Sequence, residues 1–169
     1  RQSMCTAATY MTKDFYFGRT LDLDFSYGDE VVITPRNFSF RFRNIGVMHS
    51  HFAMIGMAHV VDGVPLYYEA VNEKGLGIAG LNFIGNAHYN EAEEGKYNVA
   101  PFELIPWLLG RCATVGEAKE LIKNLNLVNI CVNGELPPSE LHWMIADSTE
   151  VITLESTENG VQVFDNEVG

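Results

Sequence analysis

The sequence is short of basic residues and of long apolar runs, and each shortage excludes a class of protein. Its 11 Lys and Arg stand against 22 Asp and Glu, which gives a formal net charge of −11 over 169 residues. No nucleic-acid partner is expected, because binding to phosphates needs a surplus of basic side chains. No apolar run approaches the roughly 18 residues of a membrane span, and residues 1–4 begin no intact secretory signal. We therefore expect no membrane partner.

Cysteine is also scarce. The three cysteines, Cys5, Cys112 and Cys131, are widely spaced and odd in number, so they predict no disulfide framework. This usage is typical of a reducing compartment and indicates a cytoplasmic protein. No Cys-x-x-Cys pair is present, and His49 and His51 supply only two close ligands, so we predict no metal site and no cofactor. Cys112 and Cys131 lie beside or within apolar runs and are predicted to be buried.

The apolar segments predict an α+β protein, in which strands are followed by two helices and then by more strands. The first two strands, residues 5–11 and 15–23, are predicted to form a hairpin with the two-residue turn Lys13-Asp14. The other predicted strands are 31–42 with a break near Pro35, 52–61, 66–71, 76–83, 142–146, 151–155 and 160–164.

Two helices are predicted between these groups of strands. Residues 102–109 form the first, and a capping box from Thr114 to Glu117 starts a second that runs to residue 125. The polar, acidic segment 85–98 is predicted to be a loop.

A literal G-x-G-x-x-G stands at residues 75–80. A dinucleotide site needs a strand before this motif and a helix after it. Here a turn precedes it and the strand-like Leu81-Asn82-Phe83 follows. The motif therefore indicates a glycine-rich strand packed closely against another backbone.

Cys5 directly follows Met4 at the start of the first predicted strand. A cysteine that is the N-terminus combines a nucleophilic thiolate with its own α-amine, whose unperturbed pKa is about 8. That amine can take the thiol proton and later protonate a leaving amine, so no histidine is required. Taken alone, a Met-Cys pair favours an idle cysteine.

The predicted hairpin brings charged residues towards Cys5. A two-residue turn sets Cys5 opposite Asp22, whose carboxylate can then orient the amine. Arg19 would face the other side of an ideal strand, so a bulge at Gly18 or a bend near Leu21 is needed to bring its charge to the thiolate. From the residues alone, a surface salt bridge between Arg19 and Asp22 is an equal alternative.

Four motifs stand in order along nearly the whole chain. They are Met4-Cys5-Thr6-Ala7, then Phe17-Gly18-Arg19-Thr20-Leu21-Asp22, then Asn72-Glu73-Lys74-Gly75-Leu76-Gly77 with Ala79-Gly80-Leu81-Asn82-Phe83, and finally Leu141-His142-Trp143-Met144. This ordered set resembles the landmarks of the choloylglycine hydrolases, the family of bile salt hydrolases and penicillin V acylases. The resemblance implies a four-layer αββα N-terminal nucleophile hydrolase fold and amide hydrolysis through a thioester.

The resemblance also implies roles for single residues. Cys5 matches the nucleophile, Arg19 and Asp22 match the pair that supports it, and Asn82 matches a residue near the oxyanion hole. The family's pocket positions are apolar or aromatic here, as a steroid or aryl acyl group requires. These positions fall on Leu21, Tyr27, Val61, Leu66, Val132 and Leu136. Assembly into a homotetramer is implied as well.

Two departures from the family pattern affect the domain prediction. The family carries a further Asn and a further Arg in a second half that would start just past Gly169. Residues 5–169 are therefore expected to be the N-terminal part of a single domain, whose fold is incomplete in this chain. Residues 1–4 precede the cysteine that is first in mature family members, and are interpreted as a leader, a tag remnant or a propeptide.

The leading functional hypothesis is hydrolysis of the amide bond of glycine- or taurine-conjugated bile salts. The family resemblance favours bile salts over penicillin V because residue 82 is Asn rather than Tyr. A penicillin V acylase or a related N-acyl amidase is the alternative enzyme. The non-catalytic alternative is a truncated or unprocessed chain that folds but turns nothing over.

Overall fold

A computed structural model describes residues 5–133 and 137–167. The strands are β1 Ala7–Met11, β2 Phe15–Arg19, β3 Glu30–Thr34, β4 Phe40–Phe42, β5 Gly46–Met48, β6 Met54–Val61, β7 Val64–Asn72, β8 Gly77–Asn82, β9 Tyr97–Val99, β10 Leu125–Leu127, β11 Leu141–Ala146, β12 Val151–Thr157 and β13 Gly160–Asp165. A 3-10 turn, Pro101–Glu103, leads into helix α1, Leu104–Arg111, and helix α2 follows at Val115–Ile122. None of the helices in these described segments is both long and apolar enough to cross a membrane.

Seven of the strands form one antiparallel sheet in the order β13-β12-β11-β8-β7-β6-β3, with β8 at its centre. The β6–β7 turn is Asp62-Gly63, whose φ angles of 51° and 76° are those of a tight hairpin turn. Local alternation and turn residues define this part of the fold, so the predicted strands 52–61, 66–71 and 76–83 and the C-terminal meander are confirmed.

The two faces of this sheet have different neighbours. One face, which we call the core face, carries residues such as Ile78 and Ile145, and buries them together with Trp107 and Leu108 of α1. The β1–β2 hairpin covers part of the opposite face, which we call the hairpin face and which includes Glu69, Val71 and Ala79. Hairpin, sheet and helix thus form successive layers, which place the start of β1 above the sheet.

Asn72 ties α1 to the β7–β8 turn. Its Nδ2 donates to the carbonyl oxygens of Leu109 and Cys112, at 2.8 and 2.7 Å. Its Oδ1 accepts hydrogen bonds from the backbone N–H groups of Lys74 and Leu76. A buried amide with all its groups paired stabilises the turn that precedes β8. Asn72, the first residue of the motif 72–77, therefore has a structural role in this turn.

Two predicted details differ from the structure. Helix α2 ends at Ile122, before residue 125, because Leu125–Leu127 pairs with β9 as a parallel strand. Thr114 Oγ1 accepts the N–H of Glu117 as predicted, but the Glu117 carboxylate accepts from Ala113 rather than from Thr114. The predicted break near Pro35 is confirmed, because β3 ends at Thr34 and β4, in a different sheet, begins at Phe40.

The glycine motif 75–80 is a turn and a strand. Gly75 has a φ of +92° in the turn, and Gly77 and Gly80 lie in β8, which no helix follows directly. A Cβ on Gly77 would lie 2.8 Å from the Phe17 ring, and one on Gly80 would lie 3.4 Å from Trp143 Nε1. The prediction of a closely packed strand is confirmed, although aromatic side chains rather than backbone are its nearest neighbours.

Candidate active site

The hairpin that carries Cys5 pairs one residue away from the predicted register. Met11 pairs with Phe15, so the turn contains three residues, 12–14, instead of two. Thr12 closes this turn: its Oγ1 accepts the N–H of Asp14 at 3.2 Å, and its own N–H donates to the Asp14 carbonyl at 2.9 Å. The two-residue Lys13-Asp14 turn was therefore a wrong prediction.

The one-residue shift changes the partner of Cys5. Beyond Ala7 and Arg19 the pairing continues to Thr6 and Thr20, whose N–H donates to the Thr6 carbonyl at 2.8 Å. The next pair in this register is Cys5 with Leu21. The prediction that Cys5 lies opposite Asp22 is therefore wrong.

The same shift moves Arg19 to the face of the hairpin that carries Cys5. Side chains alternate along a strand, so residues 5, 7, 19 and 21 share one face in the observed register. Arg19 is then a diagonal neighbour of Cys5, a relation in which Cα atoms are roughly 7–8 Å apart and long side chains reach each other. The predicted bulge at Gly18 is absent from the β1–β2 pairing and is not needed.

Arg19 is held between the hairpin and the sheet. Its side chain is only 6% exposed, and its guanidinium donates to Glu69 Oε2 at 2.8 Å and to the Thr20 carbonyl at 2.9 Å. A buried cation is costly unless it is paired and hydrogen-bonded. The Glu69 carboxylate, on the hairpin face of β7, supplies that pairing and fixes where the Arg19 charge lies.

Asp22 is exposed, and it contacts the hairpin through Thr20. Thr20 Oγ1 donates to Asp22 Oδ2 at 3.0 Å and accepts the backbone N–H of Thr6 at 3.0 Å. These two hydrogen bonds link the carboxylate to the residue that follows Cys5. Arg19 forms its ion pair with Glu69. The alternative prediction of a surface salt bridge between Arg19 and Asp22 is therefore wrong.

Asn82 ends β8, the central strand of the sheet, and pairs with Leu141. Phe17 lies over Gly77, and Arg19 contacts Glu69, which pairs with Ala79. From Phe17 to Arg19, β2 therefore runs in the direction of the Asn82 end of β8. If the hairpin pairing continues beyond Arg19, Cys5 and Asn82 lie towards the same end of the sheet.

Three of the predicted pocket residues surround His59. The Tyr27 ring lies 6.3 Å from the His59 ring, centroid to centroid. Leu66 pairs with His59 across the β6–β7 hairpin, and Val61 lies two residues further along β6, on the same side. Val61 and Leu66 are thus on the hairpin face, and Tyr27 contacts His59 of the same face. Leu21 is half-buried in the segment that follows β2.

The other two predicted pocket residues are placed differently. Val132 follows β10, and its carbonyl oxygen accepts a hydrogen bond from the Arg43 guanidinium at 2.7 Å. Leu136 lies outside the described residues.

A cavity of about 730 Å³ opens between the hairpin and the sheet. Arg19 and Glu69 stand in its wall, together with apolar groups such as Phe17 and Val71. None of the five predicted pocket residues that the structure describes lines it. The cavity and the cluster around His59 are therefore separate places on the hairpin face.

The other cysteines differ from each other. Cys112 is 1% exposed, and burial raises the pKa of its thiol to about 12, so it is not a thiolate at neutral pH. The prediction that Cys112 is buried is confirmed. Cys131 is half-exposed, so the same prediction for Cys131 is wrong.

The histidine pair does not form a site. His49 Nδ1 contacts Ser39 Oγ at 3.1 Å, whereas His51 is buried with its two ring nitrogens against the carbonyl oxygens of Phe52 and Phe38. Within residues 5–133 and 137–167, no three His, Cys, Asp or Glu side chains gather as metal ligands would.

Sequence reasoning missed two residues beside Arg19. Glu69 is the sole acidic residue of the apolar strand Val64–Asn72, and a lone carboxylate in such a strand signals a buried partner. Thr20 stands between Arg19 and Asp22 in one of the family motifs, yet nothing in its type indicates that it joins the two strands.

Comparison with known proteins identifies the family. The description of the matching family model is linear amide C–N hydrolases, choloylglycine hydrolase family, and it matches residues 5–169. A bile salt hydrolase/transferase from Lactiplantibacillus plantarum is 50% identical over 166 residues, which cover 98% of this chain and 51% of that protein. One from Clostridium perfringens is 37% identical over 171 residues, covering 98% and 52%. The chain spans about half the length of the curated relatives it matches.

Solved structures agree with this assignment. A conjugated bile acid hydrolase variant from Clostridium perfringens superposes with a TM-score of 0.91 at 35% identity, covering 98% of this chain and 52% of that one. Penicillin V acylase from Agrobacterium tumefaciens superposes at 0.73 with 14% identity, over 96% and 49%, which shows a shared fold alone. The predicted α+β N-terminal nucleophile hydrolase fold is thus confirmed. With its family model matched from residue 5 to residue 169, this chain belongs to the choloylglycine hydrolase family.

Proposed function

We propose that this protein hydrolyses the amide bond of glycine- or taurine-conjugated bile salts, with Cys5 as the nucleophile. The observation that carries the proposal is the hairpin register, which, continued beyond Thr6 and Thr20, brings Cys5 towards the buried Arg19, in a chain 50% identical to a bile salt hydrolase/transferase. Residues 5–169 then form part of one catalytic domain, which assembles as a homotetramer and works without a cofactor in the cytoplasm.

The proposed reaction begins when the chain starts at Cys5. The free α-amine takes the thiol proton, and the thiolate attacks the amide carbonyl carbon, whose oxygen takes up the displaced electron pair. Collapse of this tetrahedral species breaks the C–N bond, and the ammonium returns its proton to the leaving nitrogen. Water then attacks the thioester while the amine takes a proton from that water. Collapse of the second tetrahedral species breaks the C–S bond and releases the bile acid, and the thiolate recovers its proton from the ammonium.

The remaining site residues support these steps. In this proposal Asn82, the last residue of β8, donates a hydrogen bond to the developing oxyanion. Arg19 stabilises the thiolate by its charge, and Glu69 keeps the guanidinium in place. Asp22 orients the α-amine of Cys5 in this proposal, because Thr20 links the Asp22 carboxylate by hydrogen bonds to the backbone N–H of Thr6.

The acyl group is recognised by apolar contact. The hairpin face of the sheet carries Val61 and Leu66, and Tyr27 contacts His59 there. In this proposal a steroid packs against these three residues and against Leu21. Val132 and Leu136 complete the proposed pocket.

A penicillin V acylase is the second candidate, because the shared fold extends to such an enzyme. The fold is common to both activities, and only the pocket distinguishes a steroid from a phenoxyacetyl group. We favour the bile salt because residue 82 is Asn and because relatives that are 37–50% identical over 98% of this chain carry bile salt or bile acid names.

The decisive experiment assays these residues within a chain of the relatives' full length that begins at Cys5. Glycocholate, taurocholate and penicillin V are offered separately, and the released amine or 6-aminopenicillanic acid is quantified. We expect turnover of both bile salts at least about tenfold faster than that of penicillin V, which corresponds to about 1.4 kcal/mol. The variant Cys5→Ser is the control. Faster turnover of penicillin V would establish the second candidate, and equal activity of the control would remove Cys5 from the mechanism.

A further inference from the structure

Strand β7 contains a bulge at Tyr68. Met57 of β6 pairs with Glu69, whereas the next residue, Ala58, pairs with Tyr67, so Tyr68 is the extra residue of β7. A bulge inserts one residue into the ladder and turns its side chain away from the regular alternation. Tyr68 therefore does not occupy an ordinary position on either face of the sheet.

The re-aimed side chain of Tyr68 reaches the loop of residues 20–29. Its hydroxyl donates to Asp29 Oδ1 at 2.8 Å. The other carboxylate oxygen, Oδ2, accepts from Ser26 Oγ at 2.9 Å, and Ser26 Oγ accepts the N–H of Gly28 at 3.1 Å. The Tyr68 hydroxyl thus holds a small hydrogen-bonded turn, 26–29, against the sheet.

This loop has little else of regular structure to hold it. Residues 20–29 belong to no strand or helix, and Phe25 and Tyr27 are 63% and 52% exposed. Tyr27 contacts the rings of Phe25, at 4.8 Å, and His59, at 6.3 Å. A loop with so few buried contacts depends on its specific anchors for a defined position.

The same bulge also serves Arg19. The residue after Tyr68 is Glu69, which pairs with Arg19, and the Tyr68 carbonyl lies 3.5 Å from the same guanidinium. Tyr68, the bulged residue of β7, thus contacts the Arg19 guanidinium through its backbone carbonyl. Its side chain contacts Asp29, in the loop that contains Tyr27.

We propose that Tyr68 is a positioning residue, whose hydroxyl fixes the 20–29 loop so that Tyr27 forms a wall of the acyl pocket. This inference rests on the proposed function for the identity of the ligand, the acyl group of a conjugated bile salt. It does not make Tyr68 a catalytic residue, because Tyr68 acts through Asp29 and touches neither the thiol nor the reacting carbonyl.

The protonation states suit this hydrogen bond. The Tyr68 hydroxyl holds the pKa of Asp29 below its usual value, so Asp29 is an acceptor across the neutral range. Burial raises the pKa of Tyr68, and the nearby Asp29 carboxylate raises it further, so Tyr68 remains a neutral donor.

The test removes the hydroxyl and nothing else. Tyr68→Phe is compared with Tyr67→Phe, a matched control one residue away whose hydroxyl contacts Thr34 Oγ1 at 2.6 Å instead. Both variants are made in the full-length chain that begins at Cys5. We expect Tyr68→Phe to raise the KM for glycocholate about 3- to 10-fold with kcat within about twofold, because a hydrogen bond to a charged acceptor is lost outside the reacting groups. Tyr67→Phe should leave KM unchanged.

A second measurement does not depend on turnover. Hydrogen exchange of the 20–29 amides should accelerate in Tyr68→Phe and in Asp29→Ala, but not in Tyr67→Phe. The double variant Tyr68→Phe/Asp29→Ala should show no change in KM or exchange beyond that of Asp29→Ala, because Asp29→Ala already removes the acceptor of the Tyr68 hydroxyl.

The outcomes separate this inference from the proposed function. Unchanged exchange of residues 20–29 in Tyr68→Phe overturns the positioning role, as does a fall in kcat with an unchanged KM. If Tyr68→Phe does not fold, Asp29→Ala is judged by the same two criteria. A wild-type chain that turns over no conjugated bile salt refutes the proposed function, while the exchange experiment still decides whether Tyr68 holds the loop.

Discussion

Cys5 and Cys112 carry the same thiol in opposite surroundings. Cys112 is enclosed after α1, where burial raises the pKa of its thiol to about 12. Cys5 is half-buried and precedes the hairpin, whose register, if continued, brings it towards the cationic Arg19. Because the thiolate is the reactive form, these surroundings distinguish the proposed nucleophile Cys5 from the buried Cys112.

Alkylation of the native protein checks this difference. We expect iodoacetamide to label Cys5 rapidly and Cys131 more slowly, and to leave Cys112 unlabelled until the protein is unfolded. Amidase activity should fall in proportion to the label on Cys5, as mapped by peptide mass spectrometry. The variant Cys131→Ser serves as the control and should lose activity at the same rate. Activity that survives complete labelling of Cys5 would contradict its role.

The α-amine of Cys5 leads to a second prediction. In a chain that retains residues 1–4, the nitrogen of Cys5 is a peptide nitrogen whose lone pair is delocalised, so it cannot act as a base. Such a chain should be inactive, and removal of residues 1–4 should restore activity. Intact mass spectrometry paired with an amidase assay over time should show activity rising with the species that begins at Cys5. Full turnover by a homogeneous preparation retaining residues 1–4 would refute the amine as the base.

At the scale of elements, an ion pair between the buried Arg19 and the partly exposed Glu69 joins the hairpin to the sheet. Arg19 and Glu69 come from strands that are distant in the sequence, and their contact is flanked by Phe17 packed over Gly77. Because little room remains above Gly77, the hairpin cannot shift along β8 without losing this packing. The ion pair and the aromatic contact together define where the hairpin lies.

Glu69→Gln tests the ion pair. The substitution leaves the 6% exposed Arg19 side chain without its counter-charge, so we expect the free energy of unfolding to fall by about 1–3 kcal/mol, less than for a fully buried pair because Glu69 is partly exposed. The matched control is Glu120→Gln, which removes an exposed pair with Lys123 and should have little effect. Urea unfolding measures both. Equal effects would show that the Arg19 pair contributes no more than a surface pair.

At the scale of the whole molecule, the charge of −11 bears on substrate recognition. An acidic protein offers no general attraction for an anionic glycine or taurine group, and charges are screened beyond about 8–10 Å in physiological salt. The proposed pocket residues are apolar. Recognition should therefore depend more on the acyl group than on the amine.

Substrates that differ only in the amine, or only in the acyl group, measure how much each part contributes to recognition. Glycine and taurine conjugates of one bile acid should differ by no more than about threefold in kcat/KM, whereas conjugates of different acyl classes should differ by about tenfold or more. The measurement is kcat/KM for glycocholate, taurocholate and an aryl-acyl amide with the full-length chain. The opposite order would indicate that a polar amine pocket controls specificity.

The amino-acid sequence by itself determined the elements that depend on nearby residues. The β1–β2 hairpin, the Asp62-Gly63 turn and the C-terminal meander follow from alternating apolar residues and from residues suited to turns. Cys5 and Asn82 each stand in a motif of consecutive residues, so the sequence by itself is enough to propose them as site residues.

Only the tertiary structure decided how these elements meet. The hairpin has a three-residue turn, and the resulting one-residue shift sets Cys5 opposite Leu21 rather than Asp22. In this register Phe17 and Arg19 reach Gly77 and Glu69 of the sheet, which are contacts that the local sequence does not show. Arg19 and Glu69 are 50 residues apart in the chain. Such a contact forms only when separate strands pack together. The partner of a buried charge therefore cannot be predicted from the residues that neighbour it in the sequence. The physical reason is that turn type and strand period act over a few residues, whereas pairing and desolvation depend on the whole fold.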